Sequence, residues 1–126
     1  MAIGAVNNAA AIVAFRGIVD DWKITEWSDG YVEMYITVAA KGSAKNATSS
    51  RRVGFPAGIS LINSGNKAYS VQITPEHNGL LITGFGCYDT NGNRAKNPTD
   101  FALGFTQRET AWYTVFDVVV RGWRNI

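Results

Sequence analysis

Apolar and polar residues alternate with a period of two through much of the chain. In D-W-K-I-T-E-W (Asp21 to Trp27), Trp22, Ile24 and Glu26 share one face and Lys23, Thr25 and Trp27 the other. Ser28-Asp29-Gly30 follows as a turn, because Asp-Gly tolerates the positive φ of a tight hairpin. The chain then returns as Y-V-E-M-Y-I-T-V-A-A (Tyr31 to Ala40), with Val32, Met34, Ile36 and Val38 against Tyr31, Glu33, Tyr35 and Thr37. Alternation of this kind predicts a half-buried hairpin whose second face carries aromatics. Further strands are predicted at Ser49–Phe55, ended by Pro56, at Ala68–Thr74, at Leu80–Tyr88 and at Thr99–Thr106. The last and longest is Trp112–Trp123. It sets Trp112, Phe116, Val118 and Val120 on one face, and Tyr113, Val115, Asp117, Val119, Arg121 and Trp123 on the other. Seven or so strands with turns every 8–12 residues predict an all-β fold, an antiparallel β-sandwich.

The first residues follow a different pattern. Met1 to Phe15 is alanine-rich and uncharged, and Ile3, Val6, Ala10 and Val13 have the a/d spacing of a coiled-coil seam. Residues 1–19 are therefore read as a short helical or extended leader or stalk remnant, and 20–126 as the sandwich domain. A frayed leader without a role is the alternative. The final strand is apolar on both faces near its middle. Its outer residues Val115 and Val119 either meet a further copy of the chain or mark a central strand of one sandwich.

Composition agrees with strands. The chain holds 11 Val, 10 Ile and 10 Thr against 4 Leu, and branching at Cβ favours the pleated sheet. At 126 residues it has room for one core. A charged fraction of 17% against 46% hydrophobic excludes a disordered tail. No apolar run is long enough for a membrane span. A net charge of +2 argues against a nucleic-acid partner.

Candidate chemistry is sparse. Cys87 and His77 are the one cysteine and the one histidine, so a nucleophilic or metal-binding constellation is hard to build, and no cofactor or metal is expected. Asp89-x-Asn91-Gly92-Asn93 resembles the start of a calcium loop but lacks the bidentate Glu that would close it. Gly84-Phe85-Gly86 lies between strand residues rather than before a helix, which removes a dinucleotide reading. Asp20 and Asp21 point to opposite faces if extended. Glu26 and Glu33 are placed to approach each other across the hairpin, yet nothing indicates a catalytic cleft between them. No enzymatic activity is expected. Two loops combine aromatic with polar side chains: Tyr88, Asp89, Asn91, Asn93 and Arg94 in one, and Arg108, Glu109, Trp112 and Tyr113 in the other. Sugars stack their CH faces on aromatics and bond their hydroxyls to Asp, Asn and Arg. Tyr88, Asp89, Asn91, Arg94, Arg108, Trp112 and Tyr113 are thus the candidate ligand residues, with ordinary turn chemistry as the alternative.

The hairpin D-W-K-I-T-E-W-S-D-G-Y-V-E-M-Y (Asp21 to Tyr35) resembles a pattern of tail-fibre and receptor-binding proteins of tailed bacteriophages. In those proteins a Trp strand, a W-S-D/S-G turn and an aromatic-rich return strand open the C-terminal tip domain. R-R-V-G-F-P (Arg51 to Pro56), Tyr69 to Thr74, T-G-F (Thr83 to Phe85) and W-Y-T-V-F-D-V-V-V-R-G-W (Trp112 to Trp123) are similar to later elements of such tips. The layout also resembles the trimeric sandwiches of H-type lectins. The resemblance spans residues 20–124. It implies a homotrimer at the end of a fibre, part of the virion and made in the host cytoplasm, that binds host-cell surface glycans and contacts other tail proteins. It implies that Val115 and Val119, with Ile3, Val6 and Val13 of the leader, form trimer contacts. The loop Asp89–Pro98 and the loop around Arg108 lie where such tips vary most, so no ligand residue carries over there. A structural virion module without glycan binding is the alternative, and a polysaccharide hydrolase using Glu33 and Asp117 a more distant one.

Overall fold

The computed structural model describes residues 11–41, 46–76, 80–88, 93–107 and 113–125. Eight strands form two antiparallel sheets: β1 (Val13–Val19), β2 (Trp22–Trp27), β3 (Tyr31–Lys41), β4 (Thr48–Gly54), β5 (Ser70–Pro75), β6 (Leu80–Gly86), β7 (Asp100–Gln107) and β8 (Tyr113–Trp123). One sheet has five strands in the order β1-β2-β3-β8-β5, the other three in the order β4-β7-β6. The expected all-β sandwich is present. A 3-10 turn at Gly65–Lys67 precedes β5, and no α-helix occurs among the described residues.

The strand beyond the expected set is β1, and it changes the reading of residues 1–19. Val13–Val19 pairs with β2 as the edge of the five-stranded sheet, so Val13 belongs to a strand and not to a helical seam. Val13, Phe15, Ile18 and Val19 favour extended backbone, and a seam of two heptads has no stability of its own. Ile3 and Val6 lie outside the described residues. Asp20 and Asp21 are not extended. They form the two-residue β1–β2 turn with φ of 51° and 70°, the two positive φ values of a type I′ hairpin. The next hairpin turns where the sequence predicts, with Gly30 at φ 89° and the Tyr31 N–H donating to Asp29 Oδ1.

Alternation sets the core. Trp22, Ile24, Val32, Met34, Val38, Phe116, Val118 and Val120 of the large sheet face Phe101, Leu103 and Phe105 of the small one, and all are buried. Phe105 and Phe116 meet across the layers with ring centres 5.3 Å apart. Trp22 joins the layers twice. Its ring meets Phe55 and Phe101 edge-on at 5.9 and 6.0 Å, and its indole N–H donates to the Gly54 carbonyl at 2.9 Å. Gly122 of β8 faces the same interior. A Cβ there would lie 3.0 Å from Tyr69 Cβ and 3.2 Å from its Cα, so a larger residue would have to push the chain before β5 aside by a few tenths of an ångström.

Replacing Trp22 with Phe keeps an aromatic ring but leaves the Gly54 carbonyl without its donor. The substitution should cost about 1–3 kcal/mol of stability, read by urea denaturation. An unchanged midpoint would show that the indole bond contributes nothing to joining the sheets.

Candidate functional site

Of the loop residues singled out from sequence, Tyr88 and Arg94 lie together and Tyr113 begins β8. Tyr88 bridges to Arg94 beside the Asp100 end of β7, where Arg52 donates to both the Tyr88 carbonyl and Asp100. Gln107 closes that eight-residue strand at its other end, about 25 Å away. Arg94 serves the fold: its Nη2 donates to the Tyr69 carbonyl at 2.7 Å and its Nε to Asn63 Oδ1 at 2.9 Å, while its guanidinium lies 4.1 Å from the Tyr69 ring centre. The Tyr88 hydroxyl donates to the Phe85 carbonyl, and its ring remains exposed. Asp89, Asn91, Arg108 and Trp112 lie outside the described residues. Tyr113 opens β8 opposite Lys41 of β3.

Glu26 and Glu33 do not approach each other. They fall on opposite faces of the hairpin, because their positions differ in parity across an antiparallel register in which Glu26 opposes Val32 and Glu33 opposes Thr25. Glu26 turns inward to Arg124 at 3.0 Å. Glu33 points outward, 3.8 Å from Arg121.

Cys87 is 2% exposed. Burial pushes its thiol up to about 11, and burial likewise pushes the Tyr69 hydroxyl, which donates to the Cys87 carbonyl, up to about 12. A thiol so placed is a poor nucleophile at neutral pH. Among the described residues no three His, Cys, Asp or Glu side chains come together as a metal site.

A different surface is built more fully: the outer face of the five-stranded sheet. Register fixes it row by row, since directly opposed residues share a face. One row crosses Ile18, Lys23, Tyr35, Val119 and Gln72. The next crosses Arg16, Thr25, Glu33, Arg121 and Ser70. Beyond it lies an aromatic row at the hairpin end, in which Trp27 and Tyr31 are 5.5 Å apart and Tyr31 and Trp123 4.8 Å. These rings are tilted by 43° and 57°, so the row is a half-exposed strip of alternating faces and edges. Same-face rows follow at about 7 Å.

The polar groups on this face are mutually oriented. Asp117 accepts from the Tyr35 and Thr37 hydroxyls at 2.9 and 3.0 Å. The Lys23 ammonium sits 5.4 Å from the Tyr35 ring centre. Arg121 donates to Gln72 Oε1 at 2.9 Å. Burial raises the pKa of Tyr31, and the neighbouring Glu33 charge adds to that while Arg121 opposes it. Between the rows lies a shallow pocket of about 450 Å³ that reaches from Arg16 on β1 to Arg121 on β8. A smaller one, about 220 Å³, lies by Tyr88 and Arg94. Val119 sits half-buried within the larger pocket, and Val115 is half-buried further along β8.

Set against protein-family models, curated proteins and solved structures, the chain matches none.

The Cys87 thiol should resist iodoacetamide at pH 8 in the folded protein, where only about one thiol in a thousand is ionised, and should react within minutes in urea. Rapid labelling of the native protein would contradict its burial.

Proposed function

We propose that the protein is a carbohydrate-recognition tip domain of a bacteriophage tail fibre, acting as a homotrimer and binding host-surface glycan without altering it. The observation that carries this reading is the juxtaposition on one open sheet face of the Trp27–Tyr31–Trp123 strip with a hydrogen-bonding row one step away. Aromatic rings offer apolar area for the CH face of a sugar, and oriented polar groups beside them select its hydroxyls. The surface is broad and open, which suits recognition of an extended saccharide. The resemblance of Asp21–Tyr35 and Trp112–Trp123 to phage tips supports the virion setting, and those two segments supply the strip.

The proposed ligand site thus moves from the loops to the sheet. The proposed contact between copies moves as well. Val115 and Val119 are half-buried among their own neighbours, whereas Ile12 and Ile18 are 70% exposed and Val13 50%. These residues lie on or beside β1, which among the described residues is an edge strand of its sheet. An apolar edge of this kind is prone to pair with another chain. Three weak sites joined in this way gain avidity through effective concentration. The same edge also supports the second reading, a structural module that docks onto other tail proteins without a glycan.

Trp27→Ala and Trp123→Ala should each weaken adsorption to host cells about tenfold with an unchanged circular dichroism spectrum, while Tyr88→Ala leaves adsorption intact. Full adsorption by both Trp variants would remove the sheet face as the site. Loss with Tyr88→Ala alone would return it to the loop.

Light scattering at micromolar concentration should give the mass of a trimer, and Ile12→Lys with Val13→Lys should give a folded monomer. A wild-type monomer would exclude the trimer, and a trimer unmoved by both substitutions would place the contact elsewhere.

A further inference from the structure

We infer that the saccharide bound on the sheet face carries an acid group, a carboxylate or a phosphate, held in the pocket between β1 and β8. This inference rests on the proposed carbohydrate reading and names the chemistry of the ligand.

The pocket is lined by three cations, Arg16, Lys23 and Arg121, and by one carboxylate, Glu33. Two other arginines are closely paired with carboxylates. Arg124 reaches both oxygens of Glu26 at 3.0 and 3.2 Å, and Arg52 reaches Asp100 at 2.8 Å. Charge-assisted bonds between Arg and carboxylate have lengths of about 2.7–2.9 Å. Arg121 and Glu33, at 3.8 Å, fall short of that. The close partner of Arg121 is the neutral Gln72 amide oxygen, which orients the guanidinium and leaves its charge in place. Among the described residues neither Arg16 nor Lys23 has a carboxylate partner. The ring of Tyr35 beneath Lys23 holds the ammonium by its π face, again without cancelling its charge. Asp117, the nearest other carboxylate on the face, accepts from the Tyr35 and Thr37 hydroxyls one row further on.

The pocket is more cationic than the chain as a whole, which carries a net charge of only +2. The place of these charges matters as well. Arg16, Glu33 and Arg121 lie one row, about 7 Å, from the aromatic row. A pyranose seated against Trp123 and Tyr31 would direct its acid substituent to Arg121, with Lys23 one row further on adding to the positive field. Glu33, between them, would accept from a neighbouring hydroxyl and would repel a second anion. The pocket would thereby select a saccharide bearing spaced charges over one densely charged.

A glycan array separates the sources of the anion. The full chain is tested at low and high salt on neutral, uronate-bearing, sialate-bearing and phosphate-bearing saccharides, with a single-stranded oligonucleotide as a further probe. The expected result is binding confined to one or more acidic classes and weakened by salt. Lys23→Glu and Arg121→Gln should each reduce it about tenfold or more. Lys67→Glu, an exposed cation of the 3-10 turn, should leave it unchanged. Circular dichroism of each variant verifies folding, and Lys23 is exposed enough that its replacement leaves the core untouched. Binding to neutral saccharides alone, insensitive to Lys23→Glu, would overturn the acid group and leave the carbohydrate reading standing. Binding to no saccharide, or tighter binding to the oligonucleotide, would overturn both.

Discussion

The register between β3 and β8 is the constraint on which both faces of the protein depend. The two strands pair over their full length, from Tyr31 opposite Trp123 to Lys41 opposite Tyr113. A slip of one residue exchanges the faces of a strand. It would bring Val32, Met34 and Val38 or Phe116, Val118 and Val120 into water, and carry Glu33, Asp117 or Arg121 into the core. Burying three such apolar side chains is worth about 5–9 kcal/mol, comparable to the whole net stability of a small domain. Unpaired charges in the interior would add to the cost. The alignment of Glu33 with Arg121 and of Tyr31 with Trp123 on the outside is therefore enforced from the inside. The surface inherits its precision from hydrophobic packing that it does not touch.

Because that packing is written as alternation, most strands were legible in the sequence. The faces of β2, β3 and β8 follow residue by residue from Trp22/Ile24, Val32/Met34/Val38 and Phe116/Val118/Val120 against their neighbours. The Asp29-Gly30 turn was legible for a local reason, since a positive φ at Gly30 costs little. β1 was not legible, and the cause is physical. Its side chains are mostly exposed, so no alternation of apolar and polar marks it. Its turn uses Asp20 and Asp21 rather than Asn-Gly, although both occupy the left-handed region. A strand held by backbone pairing to β2, with little burial of its own, leaves a weak imprint on composition.

The site was less legible than the fold. The second face of the hairpin was visibly aromatic, and Glu33 and Arg121 each stood at outward positions. Joining Arg16, Lys23, Glu33 and Arg121 into one surface requires the strand order β1-β2-β3-β8, which places a strand from the far end of the chain next to the first hairpin. Local sequence carries no record of that neighbour. The polar and aromatic residues of the loops are close together in sequence, which does not record what each one touches in the fold. Arg94 shows why proximity misleads: a guanidinium that stacks on Tyr69 and donates to two oxygens is a brace for the chain between β6 and β7.

The two Glu–Arg pairs of the hairpin and the C-terminal segment differ in how much they do for the fold. Glu26 and Arg124 meet at hydrogen-bond length on the inner side, where Arg124 Nη2 also donates to the Gly58 carbonyl and its backbone N–H to Gly30. That pair ties the chain end to the first hairpin and to the crossing after β4. Partial desolvation strengthens such a contact, and loss of either member would strand the other. Glu33 and Arg121 are outward, each more than two-fifths exposed, and water screens their attraction. A pair of that kind contributes little to stability. On the proposed reading it therefore gives up little when a ligand takes one member. Alternation along a strand, which sends Glu26 inward and Glu33 outward, thus separates an arginine committed to the fold from one held loosely at the surface.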